Sequence, residues 1–138
     1  MMRHDLSQLG VISVVFNPAK YQTRYERYLK FKDHMLRSGV NLFTVECIFP
    51  SAKQLGLPRQ NFEITRSDRS NNIQIMAPSI LWMKENLINI AASRMPSYVR
   101  YIAWIDADVE FEVKTSLYLN KYSIRYSHSF SSVSIGLI

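Results

Sequence analysis

The chain has 138 residues, 47% of them hydrophobic and 12% aromatic, which is enough to bury the core of one domain and excludes wholesale disorder. Its 17 Lys and Arg outnumber its 11 Asp and Glu, and the net charge of +6 suits phosphate-bearing ligands, but no block of Lys or Arg predicts a nucleic-acid partner. The single Cys47 excludes an internal disulfide, and no apolar run approaches the about 20 residues of a membrane span, so the sequence predicts a cytoplasmic protein without a transmembrane segment.

The first third of the chain alternates between strand and helix patterns. Residues 11–16 are mostly apolar and β-branched and end at Asn17-Pro18, which predicts a buried parallel strand. Apolar residues at helical spacing predict a helix from Tyr21 to Ser38, before a glycine. Residues 42–49 form a second apolar run that predicts the next strand.

The same alternation resumes after a polar stretch. Residues 51–72 contain Gly, Pro and many polar side chains, which predicts a long loop. A short strand is predicted at 73–76, a helix from Pro78-Ser79 to about residue 94, and a strand at 101–105. This order predicts an α/β fold over residues 10–112, with three layers and a mainly parallel sheet flanked by helices.

The remaining residues, 113–138, differ from the rest of the chain. They contain no acidic residue, and apolar and polar side chains alternate from Ile124 to Phe130, which predicts either an additional strand or a poorly ordered end. The chain stops on the apolar sequence SIGLI, from which we expect a truncated domain. An unfinished sheet edge in such a domain favours self-association.

Two aspartates, Asp106 and Asp108, directly follow the apolar strand at 101–105. Side chains alternate along a strand, so both carboxylates are predicted on one side, at the carboxyl edge where open parallel sheets bind ligands. Two adjacent carboxylates repel each other, and a divalent cation such as Mg²⁺ or Mn²⁺ removes that repulsion. The pattern therefore predicts a metal site that would hold a diphosphate, with turn or helix-capping aspartates as the alternative.

The chain resembles a known family in three segments. LWMKENLINIAASRMPSYVRYIAWIDADVEF, residues 81–111, resembles the nucleotide-diphospho-sugar transferases of the GT-A fold, which is Rossmann-like. VISVVFNPAKYQTRYERYLKF, residues 11–31, and NLFTVECIF, residues 41–49, resemble the first two strands and first helix of that family. The resemblance implies a donor-binding domain for a nucleotide-diphospho-sugar, covering residues 10–112.

The resemblance also implies roles for individual residues on the metal side of the site. Asp106 and Asp108 match the metal-binding D-x-D pair, with Asp108 the stronger ligand and Asp106 also near the ribose. Lys84 would lie close to the nucleotide and pair with a phosphate. Without the resemblance, Lys84 and Glu85 are typical of a solvated helix face.

Three further residues are implied on the nucleoside side. Asn17 and Pro18 would lie beside the base, at the end of the first strand, and Glu46 would contact the nucleoside. The alternatives are that Asn17 and Pro18 only end a strand and that Glu46 faces solvent on a half-exposed strand.

The expected function is donor binding by a truncated glycosyltransferase-like domain, whose acceptor the sequence does not identify. The family continues past the D-x-D motif with an acceptor site and, in inverting enzymes, a carboxylate base, but no carboxylate follows Glu112. WIDADVEF also fits the D-x-D-x-[TV] motif of haloacid-dehalogenase-type phosphatases, in which the first aspartate is the nucleophile and the second an acid or base. A third alternative is a non-catalytic relic or interaction module.

Overall fold

A computed structural model of the chain describes residues 6–81, 83–107 and 133–137. Short 3₁₀ helices occupy Leu6–Gln8 and Pro50–Leu55. The strands and α-helices of the described part are β1 (Leu9–Phe16), α1 (Gln22–Arg37), β2 (Asn41–Ile48), β3 (Asn72–Met76), α2 (Lys84–Ser93), β4 (Tyr101–Ile105) and β5 (Val133–Leu137).

The strands form one sheet in the order β3-β2-β1-β4-β5. β1 pairs in parallel with both β2 and β4, and β3 pairs in parallel with β2. β5 pairs antiparallel with β4, so that Val133 lies opposite Ile105. Four parallel strands with helices between them confirm the predicted α/β fold with a mainly parallel sheet.

The two helices cover opposite faces of the sheet, which gives the three predicted layers. Successive side chains of a strand point to opposite faces, so each apolar strand supplies both cores. The core under α1 contains Leu9, Val11 and Val15 of β1 together with Tyr28, Phe31 and Met35 of the helix. The core under α2 contains Ile12 and Phe16 of β1, Phe43 and Val45 of β2, and Leu87 and Ala91 of the helix.

The predicted ends of α1 agree closely with the structure. The helix ends at Arg37, and the amide of Ser38 donates to the carbonyl of His34 at 3.0 Å. Gly39 follows with φ of +75°, a left-handed conformation that glycine adopts without a steric cost. The Ser38-Gly39 pair therefore ends the helix as the sequence predicted.

The predicted start of α2 is wrong, because the helix begins at Lys84 and not at Pro78-Ser79. The amide of Ala77 still donates to the carbonyl of Ile48, at 2.7 Å, so the chain follows the sheet up to that point. The Ser79 hydroxyl then accepts from the amide of Leu81 at 3.3 Å, which stabilises a local turn and not a helix.

The described part of the tail contains one strand, β5. β5 follows the alternating residues 124–130, and those residues lie outside the described part, together with Asp108 and the proposed boundary at residue 112. At the other edge of the described sheet, β3 pairs only with β2. None of the helices in the described part is long and apolar enough to cross a membrane.

Candidate functional site

The carboxyl ends of β1 and β4 form the topological switch point of the sheet. From β1 the chain crosses through α1 to β2 on one side, and later returns through α2 to β4 on the other side. The two connections lie on opposite faces of the sheet, and open α/β sheets bind ligands at such a position. Asn17 directly follows β1 and Asp106 directly follows β4, so the fold brings these two predicted site residues to the same edge.

Asn17 shapes the loop between β1 and α1. Its side chain is buried, its Oδ1 accepts from the amide of Tyr21 at 3.0 Å, and its Nδ2 donates to the carbonyl of Tyr21 at 2.9 Å. The Asn17 carbonyl also accepts from the amide of Lys20 at 2.9 Å. Asn17 therefore ends β1 and orders the chain before α1, while its contact with a base stays a prediction.

Glu46 lies on the face of the sheet that α1 covers, and it is only 3% exposed. Its carboxylate accepts from the amides of Glu63 (2.8 Å), Ile64 (3.2 Å) and Thr65 (3.0 Å), and from the Thr65 hydroxyl at 2.6 Å. A buried carboxylate needs such donors because burial removes its hydration. The alternative in which Glu46 faces solvent is therefore wrong: Glu46 anchors the loop that carries residues 63–65.

The loop anchored by Glu46, residues 57–66, docks on the connection between β1 and α1. Gln60 Nε2 donates to the carbonyl of Pro18 at 2.8 Å, and Lys20 Nζ forms an ion pair with Glu63 Oε1 at 2.6 Å. These contacts place Pro18 against the loop, in addition to its position after β1. The loop thus closes over the carboxyl ends of β1 and β2.

A small pocket lies beneath this loop and contains two of the predicted site residues. Asn17, Tyr25, Glu46 and Gln60 are among its lining residues. Its volume of about 10 Å³ is about what one water molecule needs. A nucleotide base therefore fits here only if loop 57–66 moves.

Tyr25 also lines that pocket. The sequence did not indicate a role for Tyr25 in the site, because its spacing predicted only that it belongs to a helix. Burial raises the pKa of its hydroxyl, the negative charges of Glu63 and Glu46 raise it further, and a hydrogen bond with Asn17 lowers it. Tyr25 therefore stays a neutral hydrogen-bonding group at neutral pH. Only the contacts of a folded loop reveal it, so no local sequence signal could have singled it out.

Asp106 and Lys84 form an ion pair on the other side of β1. Lys84 Nζ lies 2.5 Å from Asp106 Oδ1, and the two side chains are 21% and 25% exposed. Lys84 is the first residue of α2, so the pair joins the start of that helix to the end of β4. Lys84 is directed at Asp106, in contrast to the exposed Glu85 that follows it.

Asp106 also fits the predicted Mg²⁺ or Mn²⁺ site. A partly exposed carboxylate at a strand end supplies the hard oxygen ligand that these ions prefer, and Mg²⁺ is commonly held by one or two carboxylates together with substrate phosphates. Asp108 lies outside the described residues, so the separation of the two carboxylates stays a prediction. Among residues 6–81 and 83–107, no three His, Cys, Asp or Glu side chains come together as a metal-binding group.

Arg24 is a second residue that the sequence analysis missed, because it belongs to a run of basic residues typical of a solvated helix. Its Nη1 donates to the carbonyl of Phe16, the last residue of β1, at 3.0 Å. The guanidinium group is therefore held at the carboxyl end of β1.

Comparisons of this chain with protein-family models, with curated proteins and with solved structures find no match. The topology and the residues at the carboxyl edge of the sheet are therefore the basis for assigning a function.

Proposed function

We propose that the chain is a glycosyltransferase-like domain that binds a nucleotide-diphospho-sugar with Mn²⁺ or Mg²⁺ at the switch point between β1 and β4. The observation that carries the proposal is the position of Asp106, directly after β4, which pairs in parallel with β1 at the switch point of the sheet. Open α/β sheets bind ligands at this position, and an acidic side chain there is suited to a metal and not to a bare phosphate.

In this proposal the residues after β4 serve the diphosphate. Asp106, and Asp108 beyond the described residues, would hold the metal ion, which neutralises negative charge on the diphosphate when it is bound. Lys84 holds Asp106 in place through their ion pair and brings a positive charge to the same edge. The net charge of +6 further favours an anionic ligand.

The residues after β1 and β2 serve the nucleoside in different ways. Asn17 and Pro18 would lie beside the base, since both directly follow β1. Glu46 would act through the loop it anchors, because its oxygens already accept hydrogen bonds from residues 63–65. This replaces the direct contact between Glu46 and the nucleoside that the family resemblance implies.

The proposal also covers location and assembly. We place the protein in the reducing cytoplasm, because its single cysteine, Cys47, is a buried free thiol. Self-association through β3 stays part of the proposal, since only β2 pairs with that strand in the described part of the sheet. The acceptor of a transfer reaction is not assigned.

Calorimetric titration with UDP, GDP and their sugars, with and without Mn²⁺, tests the proposal. We expect binding that requires the metal and that falls roughly tenfold or more in Asp106→Asn, because a charged ligand is lost. Asp33→Asn is the matched control, since Asp33 is an exposed carboxylate that pairs with Arg37 on α1.

Absent binding, or binding that needs neither metal nor Asp106, would reject the proposal. The phosphatase alternative predicts a different outcome, namely hydrolysis of a generic aryl phosphate that Asp106→Asn abolishes. The two functions are therefore separated by one pair of assays on the same two variants.

A further inference from the structure

Arg24 lies in the first turn of α1 and reaches back to the strand before it. Its Nη1 donates to the carbonyl of Phe16 at 3.0 Å, and its guanidinium carbon lies 5.9 Å from the centre of the Tyr21 ring. A hydrogen bond and a cation–π contact together restrict a planar group that would otherwise sample many rotamers. The guanidinium group is thus fixed at the carboxyl end of β1, on one side of the switch point.

The charge of Arg24 is not explained by the stability of the helix. A cation near a helix N-terminus is disfavoured by the helix dipole, and the first turn of α1 contains no acidic residue to offset it. Arg37 shows the opposite arrangement, because it lies in the last turn and pairs with Asp33 at 2.8 Å. Within the described residues, no carboxylate forms an ion pair with Arg24.

A guanidinium group has five N–H donors, and one described contact, to the Phe16 carbonyl, uses one of them. Its fork of donors matches two oxygens of one phosphate group, which makes arginine a preferred residue for phosphate recognition. The helices α1 and α2 lie on opposite faces of the sheet. Both begin at the edge of the sheet that carries the switch point. Arg24 and Lys84 therefore bring positive charge to this edge from the two faces.

We propose that Arg24 binds a phosphate group of the ligand from the β1 side of the switch point, while Asp106 and its metal contact the diphosphate from the β4 side. This proposal rests on the proposed function in that it takes the ligand to be a diphosphate. It adds a binding residue on α1, an element to which the D-x-D motif gives no role. Arg24 recognises the phosphate and not the base, so it binds diphosphates of different nucleosides alike.

The alternative is that Arg24 only stabilises the loop between β1 and α1. Arg24→Gln separates the two roles, because glutamine retains an N–H donor for the Phe16 carbonyl but removes the charge and the fork. Arg24→Lys retains the charge without the fork. Arg27→Gln is the matched control, since Arg27 is an exposed arginine less than one turn further along the same helix.

Titration of each variant with inorganic pyrophosphate, and with UDP and GDP in the presence of Mn²⁺, tests the proposal. We expect Arg24→Gln to weaken binding of all three ligands by roughly tenfold or more, which is the usual size of a lost hydrogen bond to a charged group. The affinity of Arg24→Lys should lie between that of Arg24→Gln and that of the unchanged protein. Arg27→Gln should change the affinity by less than about twofold. The melting temperature of Arg24→Gln should stay within about 4 °C of the unchanged protein, because an exposed side chain contributes little to stability.

Unchanged affinity in Arg24→Gln, or an equal loss in Arg27→Gln, would overturn the role of Arg24. If nucleotide binding then still required Mn²⁺ and Asp106, the proposed function would stand without it. If instead pyrophosphate binding required Arg24 but neither Mn²⁺ nor Asp106, the role of Arg24 would stand and the metal-dependent function would fail. If none of the three ligands binds, both proposals are overturned.

Discussion

The two sides of β1 differ in how their polar groups are used. On the β2 side, Glu46 is buried and accepts hydrogen bonds from three amides and a hydroxyl of loop 57–66. On the β4 side, Asp106 is partly exposed and pairs with the equally accessible Lys84. Both acids lie near the carboxyl ends of the two strands that flank β1, yet Glu46 is enclosed by the chain and Asp106 stays partly exposed.

This difference separates a structural carboxylate from a candidate ligand-binding one. Removing Glu46 would leave several buried donors without an acceptor, so its contribution is to the folded state. A partly exposed ion pair adds little stability, so the proposed function assigns Asp106 and Lys84 to ligand binding and not to the stability of the fold. The predictions below test this contrast, beginning with the largest expected effect.

Replacing Glu46 should destabilise the fold more than any other change considered. Glu46→Ala leaves the amides of residues 63–65 and the Thr65 hydroxyl unpaired, and we expect a loss of about 3 kcal/mol in the free energy of unfolding, measured by urea denaturation. Glu63→Gln, at an exposed carboxylate paired with Lys20, is the control and should cost less than about 1 kcal/mol. Equal losses in the two variants would mean that Glu46 is not the anchor of the loop.

Alkaline pH should weaken the fold through Tyr28, which is buried beneath α1. Burial raises the pKa of its hydroxyl, the hydrogen bond with Thr44 lowers it, and the charge of Glu46 raises it. The folded protein therefore keeps this proton at pH values at which the unfolded chain loses it. The free energy of unfolding should fall as the pH rises above about 10, and the ionisation of Tyr28 should not affect it at lower pH.

The Tyr28→Phe variant isolates this contribution. Its free energy of unfolding should fall less steeply with pH above about 10 than that of the unchanged protein, as followed by urea denaturation at a series of pH values. An identical slope in both proteins would show that Tyr28 ionises equally easily in the folded and unfolded states. Because Tyr28 donates to or accepts from Thr44 at 2.7 Å, the variant should also lose about 1 kcal/mol at neutral pH.

Ser13 on β1 is the exception among the enclosed polar groups. It is fully buried, and its hydroxyl finds no hydrogen-bond partner among the described residues. Ser13→Ala should therefore raise the free energy of unfolding by about 1 kcal/mol. In contrast, Ser38→Ala removes the hydroxyl that donates to the His34 carbonyl at 2.9 Å, so it should lower the free energy of unfolding. A loss of stability in both variants would contradict this account of Ser13.

The smallest effect on stability is expected on the β4 side. Lys84→Met should change the free energy of unfolding by less than about 1 kcal/mol, because its ion pair with Asp106 is partly exposed. The same variant should weaken nucleotide binding, since it removes a positive charge from the switch point. A large loss of stability with unchanged binding would make the ion pair structural and would remove the contrast with Glu46.

The sequence predicted the elements whose signals are local. The apolar runs at 101–105 and 73–76 match β4 and β3 to within one residue. The D-x-D spacing after the run at 101–105 identified Asp106 as a candidate site residue, and this residue directly follows β4. The predicted start of α2 was wrong because Pro-Ser before a helical pattern is typical of a helix start. In this chain the Ser79 hydroxyl stabilises a turn instead.

The contacts of the site could not be predicted in the same way. The donors to Glu46 lie 17 to 19 residues further along the chain, in a loop without periodicity. Arg24 reaches back eight residues to Phe16, across a loop whose path depends on Asn17. Such contacts follow from the tertiary path of the chain and not from spacing in the sequence.

Paramagnetic broadening of amide NMR signals by Mn²⁺, in the presence of UDP or GDP, tests the switch-point assignment most directly. The assignment predicts that signals of Asp106, Ala107 and Lys84 broaden first, and that Asp106→Asn removes the effect. The amides of residues 63–65, which Glu46 holds on the other side of β1, should broaden later. Uniform broadening, or broadening centred on the exposed Asp33 of α1, would contradict the assignment.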